Sequence, residues 1–439
     1  MKVFKILALT FSVALYTATI FAQEIKLIPL TTDSEKALEL MRTVIANAEE
    51  FRGNDNPSLL EEILRLDPNF YYAKTYNSLL LTDNTYRKNL NNAYENRSNV
   101  SAIEEKIIEA TYEQYINLNT ALADKIIDDL ISTYPDYYQL RLLSADLKND
   151  LKDPYKKDLR YAEILEQNPN SFPALFRRAQ LHFPVSNDIV NFPIEDRDLD
   201  LAASYLMKAA SIQPNNPGPQ RFLGNLYRGQ NNLSMAKQAY ESSRLLMGEP
   251  DEIDSRYSNI LLMLGHVETF SGNYKKAREL YDDSIELLDF KQKPNLYQYP
   301  VFTYFYERDY EQAIIAFTKM RSEINSSNQD QEWKTNAIIL MEENIFVSHL
   351  HNQDEQGANK SLQQLAGFKR IQLNILLTSG ASREQLLALK NNNDIYLQEL
   401  RIWKDIILGS SNIEPQLNRF KALLEKNLTQ DPTAMTIYH

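Results

Sequence analysis

The chain has 439 residues, too many for one hydrophobic core of ordinary size, so it forms several domains or one long array of repeats. Its net charge is -12 and it has no long basic run, which argues against a nucleic-acid groove. With no cysteine, it can form neither disulfides nor cysteine-based metal sites. Apolar residues make up 43% and glycines number only 11, a globular composition that favours helix.

The N-terminus has the pattern of a secretory signal peptide. Lys2 and Lys5 form a short positive start, an apolar stretch follows, and Ala22 supplies a small residue. We predict a signal peptide over residues 1–22 and an exported protein, periplasmic or secreted, with no stable membrane span after cleavage. The alternative is an uncleaved membrane anchor, for which the stretch is short. No lipid-modified cysteine can follow the signal.

A ladder of small and large residues recurs through the middle of the chain. In "LGNLYRGQNNLSMAKQAYESS" the glycine is followed at fixed offsets by alanine, tyrosine and serine. The same spacing appears in four copies, the last one fainter: Gly224, Ala236, Tyr240 and Ser243; Gly265, Ala277, Tyr281 and Ser284; Val301, Ala313, Phe317 and Met320; Phe346, Ala358, Leu362 and Leu365. Four copies of one spacing argue against a collection of unrelated amphipathic helices.

Upstream, a related ladder ends in proline. Its copies include "AASYLMKAASIQPNN", "ADKIIDDLISTYPDY", "RYAEILEQNPNS" and "LLEEILRLDPNF", which end at Pro214, Pro135, Pro169 and Pro68. Because proline cannot continue a helix, each proline predicts the end of one helix and the start of the next unit.

These two ladders resemble the tetratricopeptide repeat, a helix–turn–helix unit of 34 residues. The resemblance covers roughly Ser34 to Leu365, and the tryptophan of the family consensus is missing from every copy. It implies an all-α fold, an α-solenoid of helix–turn–helix repeats. We therefore predict a repeat superhelix over residues 23–365, clearest over 202–320, and a C-terminal helical cap over 366–439.

Helix packing explains the glycine inside a helix. Two antiparallel helices need small residues where they approach most closely, and Gly224 and Ala236 supply them. Tyr240 then fills the adjacent groove. Glycine costs about 1 kcal/mol relative to alanine within a helix, so a packing role is expected. Two departures from the repeat length predict irregular segments: a protruding loop after Phe183 and an extra turn at residues 247–254.

No enzyme signature occurs. The five histidines form no HExxH pattern, and no Walker, GxSxG or GxGxxG motif is present. His349 and His351 are two residues apart on a predicted helix and so point to different sides, which disfavours a shared metal. We expect no catalytic residues, metal or cofactor.

The resemblance implies that the first helix of each pair lines a concave groove where ligands bind. The stripe of groove residues is Gln180, Arg221, Asn225, Arg228, Asn259, His266, Gln298, Phe302 and Phe305. Two arginines and an asparagine on one stripe suit a peptide carboxylate, because all three can donate hydrogen bonds to its oxygens. Alternatively, the arginines are exposed solubilising charges or pair with nearby acids.

Together these features predict a noncatalytic interaction scaffold in the bacterial envelope. Its groove would bind a protein or peptide, with an acidic end, and no nucleic acid. The alternative is a glycan- or nutrient-binding envelope protein, which Phe302 and Phe305 would allow and which the lack of an anchoring cysteine disfavours. Fold alone does not decide between them.

Overall fold

The computed structural model describes residues 26–50, 55–81, 85–183, 190–409, 413–415 and 417–422. The predicted signal peptide, residues 1–22, lies outside these ranges. Every regular element within them is helical, which confirms the predicted all-α fold. Helix contacts divide the chain into two units, one up to residue 212 and one from residue 213.

Unit 1 consists of consecutive helix hairpins. Its α-helices are α1 (Glu35–Glu49), α2 (Asn56–Leu66), α3 (Tyr71–Ser78), α4 (Thr85–Glu95), α5 (Ala102–Tyr115), α6 (Thr120–Thr133), α7 (Tyr138–Asp150), α8 (Pro154–Gln167), α9 (Phe172–Gln180) and α10 (Leu199–Ile212). The four helices of the proline ladder each end two residues before their proline, as predicted.

Unit 2 continues the hairpin pattern with longer helices. They are α11 (Pro217–Gly229), α12 (Leu233–Met247), α13 (Ser255–Phe270), α14 (Tyr274–Glu286), α15 (Lys293–Glu307), α16 (Tyr310–Ser326), α17 (Gln331–His351), α18 (Glu355–Thr378) and α19 (Arg383–Ile407). The first helices of the four hairpins begin at residues 217, 255, 293 and 331, at equal steps longer than the 34 residues typical of the family.

The turns within the hairpins of unit 2 share one local geometry. A residue with positive φ, such as Asn231 or Gly272, follows the first helix. The next residue is Asn or Asp, and its amide donates back to the first helix, as from Asn232 to the Tyr227 carbonyl at 2.8 Å. The side chain of Asn232 also caps α12. Asn and Gly suit these positions because they tolerate left-handed backbone or cap a helix.

Close glycine–tyrosine contacts hold these hairpins together. A β-carbon at Gly224 would lie 2.5 Å from the ring of Tyr240, and one at Gly265 would clash in the same way with Tyr281. Ala236 and Ala277 are fully buried beside them. The predicted role of the ladder is confirmed: the missing side chain on one helix makes room for the tyrosine of the other.

Two irregular segments were singled out by the sequence. Residues 247–254 do connect α12 and α13. The predicted protruding loop is only partly described, and its residues 190–198 pack against other parts of unit 1. The ring of Phe192 is buried and lies 5.0 Å from His182 and 5.2 Å from Tyr155. Burial of this apolar ring holds the described part of the loop against the helices.

An extended strap, residues 26–33, crosses unit 1 before α1. Ile28 is 2% exposed, its amide donates to Gln139 Oε1 at 2.8 Å, and its carbonyl accepts from Arg42 at 2.6 Å. Further along, the amide of Thr31 donates to Glu104 at 2.9 Å. Helices α1, α5 and α7 are thus joined through a segment that belongs to no repeat.

The C-terminal part continues from the last hairpin without a break at residue 365. Helix α18 runs through that position, and α19 packs against α18. Helix α19 lies within the range predicted for the helical cap. Its start is fixed by Ser382 and Gln385, which form a reciprocal capping box. The domain limits 1–22, 23–365 and 366–439 stay a prediction.

Candidate functional site

Three predicted residues lie on one face of α11. Arg221, Asn225 and Arg228 are spaced four and three residues apart, so their side chains emerge along the same side of the helix. All three are half-buried. The opposite side of α11 carries Phe222, Leu223 and Leu226, which are buried against the rest of unit 2. The amphipathic pattern of α11 thus fixes which way the polar stripe faces.

A tyrosine of the ladder forms a hydrogen bond to this stripe through its hydroxyl group. Tyr240, whose ring fills the space above Gly224, donates its O–H to Asn225 Oδ1 at 2.7 Å. The carbonyl end of the Asn225 amide is therefore occupied, and its NH2 group is left to donate elsewhere. Burial raises the pKa of Tyr240 to about 12, so the phenol keeps its proton at neutral pH.

The two arginines are cations without an acidic partner in the part of the chain that the structure describes. Arg221 stacks over the ring of Phe222 at 4.8 Å, and burial lowers the pKa of its guanidinium. The positive charge of Arg228 favours the deprotonated forms of Tyr240, His266 and Tyr281, and so acts to lower the pKa of each. By contrast, Arg178 in unit 1 is bound by both oxygens of Asp158, at 2.7 and 3.0 Å. An unpaired, partly desolvated guanidinium favours an anion beside it.

His266 of α13 extends the stripe onto the next hairpin. Its Nδ1 lies 2.8 Å from the hydroxyl of Tyr281, which also contacts Thr269 Oγ1 at 2.9 Å. Burial, together with the charge of Arg228, lowers the pKa of His266 to about 4, so the ring is neutral at pH 7. The ring of Tyr299 meets it edge-on at 4.8 Å.

The remaining predicted residues of unit 2 are not tied to this group by hydrogen bonds within the described residues. Asn259 lies half-buried on α13. Gln298 donates to the Asn295 carbonyl of its own helix at 3.2 Å. Phe305 packs edge-on against Tyr310 and His351, both at about 5.5 Å, so its ring serves the core of that hairpin. Phe302 is 36% exposed and contacts Phe305.

Gln180 lies elsewhere. It is the last residue of α9, in unit 1, and it is almost fully buried in the wall of a separate cavity. The structure therefore brings together Arg221, Asn225, Arg228 and His266 of the predicted set. We call these four residues, with the hydroxyl groups of Tyr240 and Tyr281, the α11 site.

Sequence reasoning missed the polar role of two tyrosines. Tyr240 and Tyr281 were predicted as packing residues, and their rings do pack against the glycines, but their hydroxyls bond to Asn225 and His266. The signal was available, since a tyrosine rather than a phenylalanine at a buried position usually has a partner for its hydroxyl. Phe270, 59% exposed and stacked on His266, was also missed.

The described residues contain no group of three or more His, Asp or Glu side chains placed to hold a metal ion. Among the helices of the described ranges, none is both long enough and apolar enough to cross a membrane.

Repeated helix hairpins, each closed by a small residue against a large one, define the architecture. The fold is of the tetratricopeptide type. No known family model matches the sequence, and no characterised protein sequence is significantly similar to it.

Several solved structures of tetratricopeptide repeat proteins are similar to this chain. One, from Parabacteroides merdae, is 15% identical with a TM-score of 0.41, covering 65% of this chain and 96% of that one. The C-terminal part of a repeat protein from Cytophaga hutchinsonii is 14% identical with a TM-score of 0.43, covering 59% and 94%. YrrB, described as having an unusual peptide-binding site, is 16% identical with a TM-score of 0.31, covering 47% and 91%. These values are too low to transfer a partner or a function.

Proposed function

We propose that the protein is a noncatalytic interaction scaffold whose α11 site binds the acidic end of a protein or peptide. The observation that carries this proposal is the pair of half-buried arginines, Arg221 and Arg228, which have no acidic partner among the described residues and flank a free amide donor. Their arrangement provides positive charge and hydrogen-bond donors where the chain itself supplies no anion.

The donors match a carboxylate group. Two guanidinium groups and the NH2 of Asn225 can surround its oxygens, and charge-assisted hydrogen bonds of this kind contribute about 1.5–3 kcal/mol each. Beside them, the exposed ring of Phe270 offers apolar surface for the rest of a peptide. The partner is therefore expected to combine a terminal or side-chain carboxylate with an apolar residue.

The test uses fluorescence polarisation to measure the binding of a peptide library in two forms. One form has free C-terminal carboxylates, and the other has the same peptides with amidated ends. Peptides that bind should lose affinity on amidation and on raising the salt concentration, since screening acts over about 8 Å at physiological ionic strength. The double variant Arg221→Ala/Arg228→Ala should lose binding and keep its fold.

The matched control removes the same charge elsewhere in unit 2. Arg256→Ala/Lys275→Ala changes two exposed cations on α13 and α14 and should bind like the unaltered protein. If this control loses as much affinity as the α11 double variant, the attraction comes from net charge and not from the site. Equal binding of free and amidated peptides, or saturable binding of a glycan in place of any peptide, would contradict the proposal.

The cellular location belongs to the same proposal. We propose that residues 1–22 direct export and that the mature protein acts in the periplasm or outside the cell. The support is the sequence pattern alone: two lysines, an apolar stretch and Ala22. Fractionation of expressing cells and N-terminal sequencing test it. A mature protein that begins near Gln23 agrees with it, whereas an intact Met1 on protein in the cytoplasm contradicts it.

A further inference from the structure

A second polar cavity lies within unit 1. Its volume is about 390 Å³, and its walls come from α5, α7, α8 and α9. It includes Gln180, the predicted groove residue that is absent from the α11 site. Unlike the α11 site, it is lined by charges of both signs: Asp146 and Asp150 on α7, Lys157 on α8 and Arg177 on α9.

Lys157 is the unusual member of this cavity. Its side chain is 6% exposed, and its ammonium donates to Asn149 Oδ1 at 3.0 Å. It forms no ion pair with a described carboxylate. An ammonium group has three donors, and a buried one is costly unless a charge or several acceptors surround it. Among the described residues, the neutral amide of Asn149 is the one hydrogen-bond acceptor of this ammonium.

The acidic side of the cavity is formed by Asp146 and Asp150, which are both exposed to solvent. Asp146 and Asp150 are one turn apart on α7. Asp150 accepts from the amide of Gln114 at 2.6 Å and has no cation paired with it among the described residues. Asp146 lies 3.3 Å from Arg177. A carboxylate and an ammonium that form no direct ion pair among the described residues therefore line one cavity, and the charges of Asp146 and Asp150 act on Lys157 from a longer distance.

This combination selects the charge of a ligand. A simple anion drawn to Lys157 would be repelled by the two aspartates, and a simple cation drawn to Asp150 would be repelled by Lys157 and Arg177. A small molecule that carries both charges avoids both penalties. We propose that this cavity binds a small zwitterion of the α-amino acid class, with its carboxylate on Lys157 and its ammonium on Asp150.

The neutral groups of the wall fit such a ligand. Gln180 and Gln114 carry amides, which can both donate and accept, and Tyr115 presents a partly exposed ring to the same cavity. The cavity volume lies within the range of small-molecule sites, and its predominantly polar lining suits a small polar ligand.

The first experiment measures thermal unfolding of the protein with the individual L-amino acids at millimolar concentration. At least one should raise the melting temperature saturably. Its N-acetyl derivative, which lacks the ammonium, and its amide, which lacks the carboxylate, should have no such effect. If no amino acid stabilises the protein, or if either derivative binds as well as the zwitterion, the proposal is wrong.

Variants then locate the site. Lys157→Met and Asp150→Asn should each weaken binding of that amino acid at least about tenfold, the loss expected for one charged hydrogen bond. Lys156→Met removes an exposed lysine next to Lys157 and should leave affinity unchanged. Lys157→Met removes a buried charge and keeps an unbranched side chain of similar length, so the variant protein should fold. Unchanged affinity in Lys157→Met would overturn the assignment.

Proton uptake gives an independent check. Burial lowers the pKa of Lys157 to about 8, so a fraction of the ammonium is deprotonated at pH 8. A bound carboxylate stabilises the charged form and raises this pKa, so binding at pH 8 should take up protons. Calorimetry in two buffers of different ionisation enthalpy measures the uptake, which should vanish in Lys157→Met. Uptake that persists in this variant would contradict the role of Lys157.

The two proposed sites can be tested separately. The double variant Arg221→Ala/Arg228→Ala should leave amino-acid binding intact, so a failure of the amino-acid proposal is distinguishable from a failure of the α11 site.

Discussion

The hydroxyl of Tyr240 donates a 2.7 Å hydrogen bond to the side-chain carbonyl of Asn225, while the ring of the same tyrosine fills the space above Gly224. One residue thus closes the hairpin and orients the amide of the proposed binding site. Because the carbonyl end of Asn225 is held, its NH2 end is directed away from Tyr240 and is free to meet a ligand.

The variant Asn225→Asp tests the donor end of this amide while it keeps the acceptor end. Aspartate has nearly the same shape and can still accept from Tyr240, but its second oxygen replaces the donor and carries negative charge. We expect peptide affinity to fall at least about tenfold, because a charged hydrogen bond is lost and a repulsion is added. Stability should hold or rise, since Arg221 and Arg228 flank the new charge. Fluorescence polarisation and thermal melting measure the two effects, and unchanged affinity would show that Asn225 does not contact the peptide.

Gly224→Ala should destabilise unit 2. The added methyl would lie 2.5 Å from the Tyr240 ring, and overpacking of this kind typically costs 1–3 kcal/mol. The matched control is Gly229→Ala, on the same helix, where a β-carbon meets nothing within 4 Å. There alanine should be neutral or stabilising by up to about 1 kcal/mol. Urea unfolding compares them, and equal stability of the two variants would refute the packing role of Gly224.

His266 should make stability depend on pH. The pKa of His266 is about 4 in the folded protein and about 6.5, the ordinary value of histidine, in the unfolded chain. Between these pH values the unfolded chain therefore binds more protons than the folded protein. The free energy of unfolding should therefore fall as pH drops from about 6.5 to 4, by at most about 3 kcal/mol from this group. The variant His266→Gln has no titrating group at this position, so its free energy of unfolding should fall less over this pH range. The difference in stability between the unaltered protein and the variant should therefore narrow on acidification. Parallel pH curves from urea unfolding would mean that His266 is not buried as a neutral ring.

The strap of unit 1 provides a test with adjacent residues. Ile28 is 2% exposed and Leu27 is 41% exposed. Ile28→Ala should cost about 2–5 kcal/mol, as for other buried isoleucines, whereas Leu27→Ala should change stability by about 0.5 kcal/mol or less. Denaturant unfolding followed by circular dichroism measures both. Similar small losses in the two variants would show that the strap does not hold unit 1 together.

The ladder was predictable because it is local. Gly224 and Tyr240 are joined by one tight turn, so their spacing in sequence already specifies which atoms meet, and the buried alanines follow from the same geometry. The stripe on α11 was predictable for the same reason, since helical periodicity alone places Arg221, Asn225 and Arg228 on one side.

What the sequence could not provide depends on distant contacts. Gln180 occupies the position equivalent to Asn225 in its own repeat, but it falls in the other unit, and nothing in the periodicity marks the division at residue 212. Phe305 has the right spacing for the groove, yet its ring turns to His351, two helices further along. The strap was missed because an extended segment has no helical period, and its partners lie far along the chain.

That distance affects how the protein is made. Gln139, which accepts from the amide of Ile28, lies 111 residues later in the chain. At translation rates of about 5–20 residues per second, the ribosome needs roughly 6–20 s to add that length, and α1 to α6 can pair with their neighbours meanwhile. Throughout this interval the apolar side chain of Ile28 has no α7 to bury against. The strap can take its final place only after α7 has been added, so the first described residues of the chain reach their native contacts later than the three hairpins that follow them.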